Sequence, residues 1–84
     1  MMVRMWEVRG YPRTFEALLH WVCDVAVPAL RHELNHVSTE VFSSTDHRVV
    51  VISRWHGAPA SMPDIPAGLE ARSAHAWDFT PVDL

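Results

Sequence analysis

The chain has 84 residues, 49% of them hydrophobic and 20% charged, with a net charge of −3 and seven basic residues that are all arginine. That is the composition of one globular domain, residues 1–84, and not of a disordered chain. No basic run or Arg-rich face marks a nucleic-acid binder, and the longest apolar stretch, Val25 to Leu30, is far too short to span a bilayer.

Val3 to Arg9 reads as the first strand, with Val3 and Met5 on one face and Trp6 and Val8 on the other. Gly10-Tyr11-Pro12 breaks it. Thr14 is then the expected N-cap of an amphipathic helix ending near Leu34. Its apolar stripe is Phe15, Leu18, Leu19, Val22, Ala26, Ala29 and Leu30, at three- and four-residue spacing. Pro28 falls inside this helix, where it costs about 3 kcal/mol or forces a bend that frees the Asp24 carbonyl. Cys23, beside the stripe, reads as an inert buried thiol.

Asn35-His36 makes a turn into a second strand, Val37 to Phe42. Ser43-Ser44-Thr45-Asp46 is a polar hairpin turn into Arg48 to His56. In that third strand Val49, Val51 and Trp55 point one way, and Val50 and Ile52 the other. Gly57 to Gly68, with Pro59, Pro63 and Pro66, is a loop. Ala67 to Ser73 has room for one or two helical turns, and Ala74 to Val82 is the last strand.

The order β-α-β-β-(short helix)-β predicts an α+β, ferredoxin-like sandwich. Its four-stranded antiparallel sheet has the first and third strands central and a shortened second helix. The third strand is apolar on both faces, and one helix covers only one of them. A domain of this size buries only about 60–65% of its unfolded surface. Cys23 is the sole cysteine, so no internal disulfide can help; that fits a reducing compartment. The expectation is a cytoplasmic homodimer, with a second copy covering the bare face.

Three stretches carry a family resemblance. Met5-Trp6-Glu7-Val8-Arg9 leads into a long helix that has Pro28 in its second half. A short turn then enters Ser38-Thr39-Glu40-Val41-Phe42, and Ser44-Thr45-Asp46-His47 leads to a strand ending in Arg54-Trp55. In these the chain resembles the antibiotic biosynthesis monooxygenase-like domains of the dimeric α/β-barrel superfamily. It departs at Leu34-Asn35-His36, where that family often has Pro-Gly-Cys, and in the proline-rich segment where the family has a full second helix. The resemblance implies a homodimer whose two sheets close into an α/β barrel. It also implies a protein related to enzymes that oxidise electron-rich aromatic substrates without metal or flavin; no cofactor is expected.

His32-Glu33-Leu34-Asn35-His36 matches H-E-x-x-H, a zinc-hydrolase signature when both histidines face one side of a helix. Here the motif straddles the expected helix end, and 84 residues leave little room for a third ligand and a cleft. Metal binding at this segment is therefore an alternative reading, and no metal ligand is assigned. His56 and His75 flank the proline-rich loop and could meet at its base.

The tryptophans are the better functional clue. Trp6, Trp55 and Trp77 lie on three expected strands, where aromatics serve the core and a dimer interface. The sharper reading is an aromatic-lined pocket for a small planar metabolite, with Arg54 or His75 anchoring a polar group of it. The rival is a non-catalytic dimer that fills this space.

Overall fold

The computed structural model describes every residue from Met1 to Leu84. Four strands follow the alternation in the sequence: β1 (Met2–Gly10), β2 (His36–Ser43), β3 (Arg48–Trp55) and β4 (Glu70–Phe79). They form one antiparallel sheet in the order β2-β3-β1-β4, so β1 and β3 are central, as the two-sided apolar pattern requires. A single helical arm crosses one face. It opens with a 3-10 turn (Pro12–Thr14) and continues through α1 (Phe15–Trp21), a π turn (Val22–Ala26) and α2 (Val27–Arg31).

The core lies between this arm and the sheet. Leu18, Val22, Val27 and Leu30 of the arm meet Trp6 and Val8 of β1 and Val49, Val51 and Trp55 of β3. Each strand sends alternate residues into that layer. Gly10 is buried where β1 passes under the arm; a Cβ there would lie 2.7 Å from Leu18 Cδ2. Glycine permits that close approach.

The arm differs from a regular helix in a way that Pro28 explains. Pro28 has no N–H to give the carbonyl four residues back, and its ring would crowd that carbonyl. The backbone widens to a π turn, in which the Val27 N–H donates to the Val22 carbonyl. Pro28 then sits in the first turn of α2, where no N–H is needed. The wider turn also shifts the phase of the stripe. Val27 is buried while Ala29 is exposed, and Cys23 is exposed, not buried.

Several boundaries also differ from expectation. Thr14 gives no side-chain cap, and its hydroxyl is sealed without a partner. The arm stops at Arg31, before Leu34. No second helix forms, not even a shortened one. Pro66 and Gly68 make a turn closed by the Leu69 N–H on the Pro66 carbonyl at 3.3 Å, with Gly68 at φ +88°. The chain then enters β4 at Glu70, and β4 ends at Phe79, short of Val82. The proline-rich segment replaces the missing helix: Ala60, Met62, Ile65 and Leu69 pack against the core edge. No helix is long and apolar enough to cross a membrane.

Candidate functional site

Strand pairing places each candidate side chain. Trp6 and Trp55 project to the helix side, and Trp55 is completely buried. Its indole N–H donates to the Ser53 hydroxyl at 2.8 Å, and the His36 ring meets it edge-on at 5.2 Å. Trp55 is therefore a wall of the core. Trp77 faces the other way. It pairs with Met5, while Phe79 pairs with Val3 and His75 with Glu7, all on the uncovered face. Arg54 lies on that face too, and its Nη1 donates to Glu40 Oε1 at 3.0 Å. The five candidates thus divide across the sheet: Trp6 and Trp55 under the helix, Trp77, Arg54 and the His75 side chain on the open side. Alternation gives each strand two faces, but which face of β4 joins which face of β3 depends on the register through β1.

Of the tryptophans only Trp6 borders a cleft. The cleft holds about 300 Å³ between β1, β4 and the proline-rich segment. Trp6, Met62, Ile65 and Ala74 supply its apolar wall, and Arg4, Asp64 and Glu70 its polar rim; His75, whose ring lies against Trp77, also borders it. Trp6 is 7% exposed. Its indole N–H has no acceptor in the protein, and the Thr14 hydroxyl is the one polar side-chain atom sealed without a partner. The Trp6 N–H is thus unpartnered but not sealed, and Trp6 borders the cleft. Arg4, which no motif marks in the sequence, grips Asp78 in a two-pronged pair, Nε–Oδ1 at 2.7 Å and Nη2–Oδ2 at 2.9 Å. The hydrogen bond from Arg4 holds the Asp78 carboxyl below its ordinary range, and the same bond raises Arg4. Arg4 and Asp78 are Cα partners across β1 and β4, a pairing that appears only once the register is known.

The H-E-x-x-H segment does not make a metal centre. His32 caps α2 and His36 opens β2, so the two are not one helical turn apart. His36 Nε2 lies 2.6 Å from Thr39 Oγ1. No group of three metal-ligating side chains converges anywhere in the chain. His56 and His75 do not meet either. Trp55 pairs with Met2 and His75 with Glu7, five residues apart along β1.

The open face carries the second unusual feature. Val3, Met5, Val50 and Ile52 run down its centre, flanked by Phe42, Trp77 and Phe79. Phe42, Trp77 and Phe79 are 48%, 45% and 51% exposed in the single chain.

No family model matches the chain, and no curated protein sequence matches it. Solved structures do. One, described as an antibiotic biosynthesis monooxygenase, superposes with a TM-score of 0.73 over 99% of this chain and all of that one, at 13% identity. Another, Rv0793 from Mycobacterium tuberculosis, gives 0.72 at 16% identity, over 99% of this chain and 96% of that one. The chain therefore has the α+β ferredoxin-like fold of the antibiotic biosynthesis monooxygenase-like domains.

Proposed function

We propose that the protein is a cytoplasmic homodimer that binds a small aromatic molecule in the cleft beside Trp6. The cleft carries this reading: it is the one place where a buried tryptophan keeps an unpartnered N–H beside apolar walls and charged groups. Pockets of about 300–1,000 Å³ with apolar linings and a few polar groups suit small ligands, and this cleft lies at the small end of that range.

The dimer rests on the open face. Large apolar patches on one sheet face mark an interaction surface, and a second copy offers a matching sheet. Trp77, Phe79 and Phe42 are then interface residues, with Arg54 and His75 at its polar margin. The Trp6 cleft stays free, because it lies on the helix side.

The fold likeness to a monooxygenase supports a second reading, in which the bound aromatic is oxidised. In the balance that needs no cofactor, a ring carbon that is CH₂ in the keto tautomer of a phenol becomes C=O; one atom of dioxygen supplies that oxygen, the other leaves as water, and the four electrons come from the substrate.

A titration with 1-naphthol tests the binding reading. Trp6→Ala should weaken binding at least about tenfold, the loss of one good aromatic stack. Equal affinity in the parent and Trp6→Ala would remove the cleft from the account. Oxygen uptake with the same phenol then separates enzyme from binder.

A further inference from the structure

Three arginines stand abreast across three strands. Arg9 of β1 is the Cα partner of Arg48 on β3 and also of Arg72 on β4. No Arg-rich face is visible along the chain, because the three lie far apart in it. Like charges directly opposite in a sheet destabilise it, so the arrangement needs a reason.

A bulge creates it. Glu7 pairs with His75, so an unbroken ladder would put Ser73 opposite Arg9. The register shifts between Glu7 and Arg9, and Arg72 takes that place instead. Bulges re-aim side chains and are common beside functional sites. Here the bulge turns a third arginine onto the open face, where a neutral serine would otherwise stand.

Two carboxylates compensate only part of the charge: both make their short contacts with Arg48, and Asp46 also feels Arg9 at longer range. Glu7 Oε1 lies 3.6 Å from Arg48 Nη1 and Asp46 Oδ2 lies 3.1 Å from Arg48 Nε. Arg9 and Arg72 form no ion pair. A cleft of about 140 Å³ lies among them, lined by Glu7, Arg9, Arg48, Arg72, Ser73 and His75. That volume suits an anionic group, not a whole metabolite.

We infer that the arginine row is an oxyanion site, which takes a phosphate or a similarly sized oxyanion between Arg9 and Arg72. A guanidinium fork matches the spacing of phosphate oxygens, and charge-assisted bonds of this kind are among the strongest available to a surface site. The site is on the opposite side of the sheet from the Trp6 cleft, on the face proposed for the dimer but one side-chain row beyond Val50 and Phe42, and it stands whether or not that cleft binds an aromatic.

Inorganic phosphate is the probe, titrated against the full chain at fixed ionic strength with chloride as reference. The melting temperature should rise with phosphate and not with chloride, as ligand linkage requires. Amide shifts should cluster at Arg9, Arg72 and Ser73. Arg9→Gln and Arg72→Gln should each bind phosphate about tenfold more weakly. In chloride both variants should be at least as stable as the parent, because a like-charge contact is gone. An equal phosphate response in parent and variants would overturn the site, and so would shifts spread evenly over all seven arginines. Dimer dissociation in the variants without any phosphate effect in the parent would also overturn it, since the row would then be pairing with carboxylates of a second copy. Should either variant fail to fold, the parent's shift map decides the matter alone.

Discussion

The Trp55 indole N–H donates to the Ser53 hydroxyl at 2.8 Å, and both side chains are buried between the sheet and the helical arm. A bond between residues two apart on one strand face satisfies both polar groups in an otherwise apolar layer. Ser53→Ala removes the acceptor and leaves the indole N–H sealed. The expected loss is about 1–3 kcal/mol, read as a lower urea midpoint with an unchanged slope. Ser53→Thr, which keeps the hydroxyl, should retain the bond at the expense of one extra methyl group.

The Arg4–Asp78 pair sets part of the acid limb of stability. The folded Asp78 carboxyl lies below its ordinary value, chiefly through the Arg4 hydrogen bond. A depressed carboxylate pKa contributes stability that is fully present above the unfolded value, near pH 4, and is lost as pH falls through the folded one. Asp46 is lowered too, first by the Ser44 hydroxyl and then by Arg48 and Arg9. Asp78→Asn should therefore flatten the fall in stability as pH drops below about 4. Urea midpoints measured across that range check the slope.

The two faces of β3 should respond differently to charge. Val51 is buried under the arm, whereas Val50 is half-buried on the open face. Val51→Asp places an unpaired carboxylate in the core and should unfold the chain, a loss above about 4 kcal/mol. Val50→Asp should leave a folded protomer that no longer dimerises. Circular dichroism with sedimentation distinguishes the two, and a folded, dimeric Val50→Asp would contradict the open-face dimer.

Much of this fold is legible in the sequence, because period-2 alternation and one amphipathic stripe each have a single physical solution. Val49, Val51 and Trp55 could only share a face, and Val50 and Ile52 the other. The π turn was not legible in full. Pro28 announces a disturbance, but a bend and a π turn both remove its clash, and only the packing of Leu18 and Val22 on one side and Val27 and Leu30 on the other chooses between them. The start of β4 was hidden for a related reason: Glu70 to Ser73 has no alternation, since two register shifts interrupt it. Those same shifts brought Arg72 to Arg9. For the candidate site, Trp6 was readable as an aromatic on a strand, but its separation from Trp77 by the thickness of the sheet depends on long-range register.

Each of the four tryptophan side chains gives one indole N–H signal, so a ligand in the cleft can be followed at Trp6 itself. A ¹H–¹⁵N spectrum should be followed while 1-naphthol is added to ¹⁵N-labelled protein, with the signals assigned by single Trp→Phe variants. The expected result is a shift of the Trp6 indole signal with that of Trp55, held by Ser53, unchanged. Movement of Trp77 alone, or of none of the four, would contradict a ligand cleft on the helix side of the sheet.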